Sequence, residues 1–335
     1  MLTIGLVHFC QTEGGLVGWG EGGSSSIINE MLAPLLLGKN PMDRVGLWEA
    51  MFHSLYNGNN AVGLAGSAIS ALDIALWDLA GKATGLPVSQ LLGGSVRDKV
   101  AVYATGLYYT ENEMETGRLL DEARGYVEQG FLGMKTKVGG LSIAEDVARV
   151  TAIREAIGPD VHLMIDANEA YNSSTAIKLA RELEHLNLTW FEEPVNAQDR
   201  TAYKELRAAL PGWSIAGGEN LRTRHEFSPY LTERAYDIVQ PDIMHCGGIT
   251  EMARIAAMAN ACGIQLNPHV WGSPIMIAAT LHLASTIPPC PPARIALPFV
   301  QVRKQAFVSV QFSSCNVCPE PALANHHHHG RLSKD

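Results

Sequence analysis

Residues 161–168 read VHLMIDAN: an apolar run of Val161, Leu163, Met164 and Ile165 that stops abruptly at Asp166 and Asn168. So short and apolar a run, closed by polar residues, reads as a buried strand with a carboxylate at its tip. The layout repeats downstream. Residues 188–194, LTWFEEP, end in Glu192 and Glu193, and residues 213–220, WSIAGGEN, end in Glu219. Between these runs, residues 173–185 and 199–210 carry apolar side chains at helical spacing, through Ile177, Leu179, Ala180 and Leu183 in the first and Tyr203, Leu206, Ala209 and Leu210 in the second. Parallel strands joined by right-handed helical crossovers leave their C-terminal ends on one side, so the three carboxylates converge. Converging acids repel one another and resist desolvation unless a cation sits among them. Oxygen-only ligands suit Mg2+ or Mn2+ rather than zinc. Taken singly, each acid reads as a helix cap or a loop charge; three in register point to a metal site.

The totals are those of an ordinary soluble globular chain. At 335 residues the chain has room for one α/β barrel, which needs about 250, and a smaller unit beside it. With 47% hydrophobic residues and a net charge of −9, there is no basic field for nucleic acid. No uninterrupted apolar run reaches about 18 residues, and the N-terminus lacks a signal-peptide layout, so no membrane partner and a cytoplasmic location are expected. Six scattered cysteines do not make a disulfide scaffold, and the lone pair Cys315 and Cys318 reads as incidental.

Residues 3–21 alternate and turn at Glu13-Gly14-Gly15, which predicts a β-hairpin closing on VGWGE. Helices are expected over 27–37, 45–56 and 64–83, the last apolar on more than one face. Its Asp73 and Asp78 read as solvent-side or capping acids rather than ligands, and the polar loop 56–60 as a lid. From residue 100 strands and helices alternate: strands at 100–105, 131–137, 161–168, 188–194, 213–220, 236–241 and 264–268, with helices at 113–128, 143–157, 173–185, 199–210, 224–231, 250–262 and 274–284. Only residues 295–302 offer an eighth strand. The expected fold is a (β/α) TIM-type barrel with an α+β capping domain over 1–95, the barrel over 96–300 and an atypical tail over 301–335, and its site lies at the C-terminal ends of the strands.

Other tips there carry chemistry. Lys135 and Lys137 are two apart on the second strand and point the same way; crowded ammonium groups depress each other's pKa, which suits a base. His269 and Asp242 end neighbouring strands, where a carboxylate fixes the imidazole tautomer. A substrate held at the metal between lysine and histidine could lose a proton from either face. A bound carboxylate has a weakly acidic α-proton, and the metal stabilises the enediolate formed when it leaves.

The succession VGWGE, ALDIALWDLAGK, MKTKVG, LMIDAN, WFEEP, GGEN, QPD and NPHVWGS resembles the enolase superfamily, and within it the mandelate racemase group. ALDIALWDLAGK, YATG, AIGPD and HVWGS are most similar to its acid-sugar members, galactarolactone cycloisomerases and sugar-acid dehydratases. The resemblance implies Asp166, Glu192 and Glu219 as ligands of Mg2+, with Mn2+ an alternative. It implies Lys137 as base on one face, His269 with Asp242 on the other, Lys135 on the substrate carboxylate, and Asn168 in support. It also implies a homo-oligomer. Two departures stand out. Only a dozen residues precede Gly14-Gly15, so part of the specificity cap is expected to be missing. Where the family's eighth strand ends on a glutamate, this chain reads Gln301-Val302-Arg303-Lys304. Residues 315–335, with histidines at 326–329, look like a shifted reading frame or a vector-derived addition.

The expected activity is Mg2+-dependent dehydration of an acid sugar. A racemase or epimerase and a lactone cycloisomerase are the alternatives within the same chemistry, since all share one intermediate. A catalytically silent barrel that only binds metal or acids is the alternative of another class.

Overall fold

The computed structural model describes residues 7–56, 63–109, 116–288 and 299–303. The hairpin forms as the alternation predicts, from β1 (Val7–Gln11) and β2 (Val17–Glu21), antiparallel, with Phe9 opposite Trp19. The glycines of VGWGE let it lie directly on a helix. A Cβ on Gly20 would sit 1.9 Å from the Ala71 carbonyl oxygen, and one on Gly18 would sit 2.2 Å from that of Ala75. After the short helices α1 (Ser25–Ile27) and α2 (Ala33–Leu36), joined by a π turn, come α3 (Arg44–Tyr56), α4 (Leu64–Thr84) and the single turn α5 (Val88–Leu91). The loop 57–60 lies outside the described residues, so the expected lid does too.

Alternation then begins: β3 (Ala101–Thr105), α6 (Thr116–Glu128), β4 (Gly133–Lys137), α7 (Ile143–Ile157), β5 (His162–Asp166), α8 (Ser173–Leu183), β6 (Phe191–Glu192), α9 (Arg200–Ala209) and β7 (Ile215–Gly217). The series continues through α10 (Thr223–Thr232), β8 (Ile238–Val239), α11 (Gly248–Ala261), β9 (Gln265–Leu266) and α12 (Pro274–Thr286) to β10 (Phe299–Arg303). All eight strands from β3 onward run parallel in the order β10-β3-β4-β5-β6-β7-β8-β9. The eighth strand is therefore present, starting four residues later than the apolar run suggested, and it pairs with the first, Phe299 opposite Ala101 and Arg303 opposite Thr105. Among the described residues no ladder joins β9 to β10. This is the capped TIM-type barrel that the alternation predicts.

Two hydrophobic cores share α4. One holds the barrel helices and strands, including Ile74 and Trp77 of α4. The other holds α3 and the opposite side of α4, through Ile69, Leu72, Leu76 and Leu79. That explains why α4 is apolar nearly all round. Among the described residues α4 is the one helix long and apolar enough to cross a membrane, a length that uninterrupted runs in the sequence do not show because Asp73 and Asp78 divide it. Here it lies between two cores, with both faces covered.

Asp73 is a capping acid, but for a helix distant in sequence. Fully buried, it accepts from the Thr250 backbone N–H (2.8 Å) and Thr250 Oγ1 (2.6 Å), at the start of α11. The close approach requires Gly248, where a Cβ would lie 2.5 Å from the Asp73 carboxylate. Asp78 accepts from the Trp19 N–H and from Lys82 on the partly exposed side. Burial pushes the Asp73 carboxyl up to about 7, against the Thr250 hydrogen bonds and Arg44, which favour the ionised form. The folded chain thus holds a proton that the unfolded chain releases near pH 4. Asp73 therefore subtracts stability as pH climbs from about 4 to about 7, by up to about 1.4 kcal/mol per pH unit, and adds no further slope above that. Urea unfolding at stepped pH should show Asp73→Asn flattening the stability profile across this window relative to the parent. An identical slope in both proteins would exclude Asp73 as its source.

Candidate active site

Parallel pairing sets the tips in register. Lys137 lies opposite Asp166, Asp166 opposite Glu192, and Asp242 opposite His269. The three acids on β5, β6 and just beyond β7 form a row across neighbouring strands. Asp166 and Glu192 are buried. The floor beneath them is aromatic: Trp190 meets Tyr103 edge to face at 5.3 Å. Trp190 Nε1 (2.9 Å) and Gln240 Nε2 (2.7 Å) both donate to Glu192 Oε2. Neither donor stood out in the sequence, where Trp190 reads as an apolar strand residue.

Three basic side chains meet the row. Lys135 Nζ lies 3.0 Å from Asp166 Oδ2 and also donates to Glu192 Oε1. Lys137 Nζ lies 2.6 Å from the same Asp166 oxygen and donates to Asn168 Oδ1, while the Asn168 backbone N–H donates to Asp166 Oδ1. At the far end, His269 Nε2 is 3.2 Å from Glu219 Oε2, and its Nδ1 is 2.7 Å from Asp242 Oδ2. All eight residues singled out in the sequence are thus gathered at the strand tips in two bonded groups, one around Lys137 and one around His269, which feel each other's charge.

The electrostatics correct one expectation. Mutual repulsion was expected to depress the lysines. For Lys135, burial does favour the neutral form, but Asp166 and Glu192 outweigh it and raise the pKa well above the ordinary value, so Lys135 stays charged. Asp166 follows the same logic in reverse: burial opposes ionisation, and Lys135 and Lys137 overcome it, holding the carboxyl below its usual range. Glu192 moves upward, because burial and the charges of Asp166 and Glu219 exceed the help from Lys135. His269 loses basicity to burial and regains more from Glu219 and Asp242, ending above the ordinary 6.5.

The donors fit a hard divalent cation, being carboxylate oxygens from three adjacent strand tips. In this arrangement the Lys135 ammonium lies between Asp166 and Glu192, and among the described residues no three His, Cys, Asp or Glu side chains close to coordination distance. Seating a cation between Asp166 and Glu192 requires Lys135 to move from between them.

Other polar residues in this region are ones that spacing did not reveal. Arg149, on α7, donates to the Lys137 carbonyl (2.7 Å), the Thr136 hydroxyl (3.2 Å) and the Leu107 carbonyl, tying two strand tips together. Three residues earlier on the same helix, Asp146 accepts from the Gly139 N–H (2.7 Å) and the hydroxyls of Tyr109 and Tyr171. Both are buried, on a helix for which the spacing predicts no role at the site. Glu21, the last residue of VGWGE, accepts from the Ser273 N–H (2.9 Å) and hydroxyl and so caps α12, just past the His269 loop.

Comparison with known proteins places the chain. The domain family "Enolase C-terminal domain-like" matches residues 118–313, and the "Mandelate racemase / muconate lactonizing enzyme, N-terminal domain" matches residues 6–93. The chain is 41% identical over 288 residues to the arabinonate dehydratase of Saccharolobus solfataricus, covering 83% of this chain and 75% of that one. It is 37% identical over 288 residues to the D-galactarolactone cycloisomerase of Agrobacterium fabrum, covering 84% and 75%. A racemase from Streptomyces coelicolor A3(2), solved with bound magnesium, superposes with a TM-score of 0.78 at 30% identity, covering 88% of this chain and 80% of that one. With both of its domains matched in order around this row of acids, the chain belongs to the mandelate racemase/muconate lactonizing enzyme family of the enolase superfamily.

Proposed function

We propose that the chain is a Mg2+-dependent lyase that dehydrates an acid sugar. The observation that carries the reading is the placement of a lysine and a histidine at opposite ends of one carboxylate row, with Lys137 on Asp166 and His269 on Glu219. In this reading Asp166, Glu192 and Glu219 hold the metal. When bound, Mg2+ supplies positive charge against the substrate carboxylate and the negative charge that grows on it.

The chain's own groups do the rest. Lys135, kept charged, pairs with the substrate carboxylate. Lys137 takes the α-proton, positioned by Asn168 through its Nζ and by Arg149 through its backbone carbonyl. His269, its Nδ1 on Asp242, has a raised pKa that keeps a population of imidazolium near neutral pH, able to protonate a departing β-hydroxyl. Loss of the α-proton and the β-hydroxyl leaves an enol that ketonises to a 2-keto-3-deoxy acid. The similarity to a dehydratase supports this outcome, and the similarity to a galactarolactone cycloisomerase supports a second, in which a lactone ring oxygen departs instead. A cytoplasmic setting and a homo-oligomer belong to the same proposal; sedimentation checks the assembly.

The test is incubation with Mg2+ and a panel of mono- and diacid sugars in D2O, followed by NMR. A 2-keto-3-deoxy product is expected. Deuterium at the α-carbon without keto product would replace dehydration by racemisation, and neither signal on any acid would overturn the enzymatic reading.

A further inference from the structure

The sixth strand tip carries another histidine. His245 sits in the turn after Asp242, where its backbone N–H donates to the Asp242 carbonyl at 2.9 Å and that of Cys246 at 2.8 Å. Its Nδ1 lies 2.9 Å from Oγ of Ser67, which belongs to the first turn of α4, in the N-terminal unit. The seam between the two leaves no slack. A Cβ on Gly22 would sit 3.1 Å from the Met244 carbonyl oxygen and 3.2 Å from that of Ser67, and one on Gly23 would sit 2.4 Å from Ala68 Cα. The ring is thus fixed by one nitrogen to the cap and by its backbone to the barrel.

The other nitrogen is available. Among the described residues none bonds to His245 Nε2, and the ring is half-buried. Its electrostatic neighbours are those of the site. Burial, the largest influence, pushes its pKa below 6.5, with Arg222 and His269 acting the same way against Asp242 and Glu219. The net effect favours the neutral ring.

We propose that His245 is a specificity-determining residue that presents Nε2 to a hydroxyl of a polyhydroxylated acid, beyond the carbons that react. The inference rests on the acid-sugar reading above and narrows it. Whichever tautomer the Ser67 bond selects, Nε2 is left as a lone donor or a lone acceptor. A hydroxyl satisfies either; a second carboxylate satisfies only the donor. The hydroxyl is the partner assigned to His245 because it alone suits both tautomers. Because Ser67 holds the ring, the cap contributes to recognition through this contact as well as through its loops.

Calorimetry on the Mg2+-loaded full chain tests this with D-galactonate, arabinonate and racemic lactate, which keeps the α-hydroxy acid and lacks further hydroxyls. The parent is expected to bind at least one sugar acid more tightly than lactate. His245→Ala should lose about 5- to 10-fold of that preference, with lactate and Mg2+ affinities unchanged, and Ser67→Ala should lose part of it. If lactate binds too weakly to measure, the loss is read on the sugar acid with Mg2+ affinity as the control. Equal weakening of both ligands, an intact preference in His245→Ala, or no preference in the parent overturns the inference. Should His245→Ala fail to fold, Ser67→Ala decides alone: a reduced preference supports the inference and an unchanged one overturns it. α-Deuterium exchange followed in the same samples separates the two readings. A His245-dependent preference without exchange sinks the proposed reaction and keeps the subsite.

Discussion

Turnover of the acid-sugar substrate is expected to fall by about 10²- to 10⁴-fold in both Lys137→Ala and His269→Asn, the range over which positioned acids and bases act, while Mg2+ affinity holds. The argument follows from where each side chain touches the row. Lys137 reaches Asp166 and Asn168, and His269 reaches Glu219 through Nε2, so each leaves the carboxylates in place when it is cut back. Asparagine keeps a group able to bond Asp242 and cannot carry the proton. The two variants should also differ. If Lys137 is the base that starts the reaction, its loss abolishes α-deuterium exchange, whereas His269→Asn retains exchange and loses the keto product. Full turnover in both variants would remove them from the chemistry, and a reversed pattern would exchange their roles.

The second large effect is on stability. Lys135→Met is expected to cost about 3 to 5 kcal/mol in the absence of divalent metal, as removal of one partner from a buried ion pair does. The Lys135 side chain is 1% exposed and its ammonium lies between Asp166 and Glu192, which are equally buried. Without it two carboxylates face each other with little water to screen them, and one must take up a proton or the tips must part. Millimolar Mg2+ should return part of the loss, because a ligand that binds only the folded chain stabilises it in proportion to its occupancy. The thermal midpoint is therefore expected to rise more with Mg2+ in the variant than in the parent. A variant as stable as the parent without metal would show that the acids need no cation between them. A loss that Mg2+ leaves untouched would argue against the carboxylate row as its binding site.

These two predictions concern residues legible in the sequence, and the reason is local. Lys137, Asp166 and Glu192 end their strands, Glu219, Asp242 and His269 lie two or three residues past theirs, and Lys135 sits two residues before Lys137 on the same face. Because a parallel sheet places all such termini on one side, order along the chain was enough to bring them together. The eighth strand was less clear. Its run begins among prolines and alanines, and its bounds are set by pairing with β3, a partner nearly 200 residues away.

The remainder depended on contacts that no spacing encodes. Arg149 and Asp146 sit on a helix for which the spacing predicts no role at the site, and they turn inward only because two strand tips and two tyrosines arrive to meet them. Glu21 and Asp73 cap helices about 250 and 175 residues downstream, and Ser67 reaches His245 across 178. The direction of the Lys135 pKa could not be derived from the lysine pair alone, since it turns on two carboxylates and complete burial. The sequence by itself determined the barrel, its acidic mouth and which side chains gather there, because periodicity and strand polarity are properties of neighbouring residues. Only the tertiary structure decided how those groups are held, which are charged and how the cap touches them, because hydrogen bonds and desolvation depend on what distant segments bring to the same few ångströms.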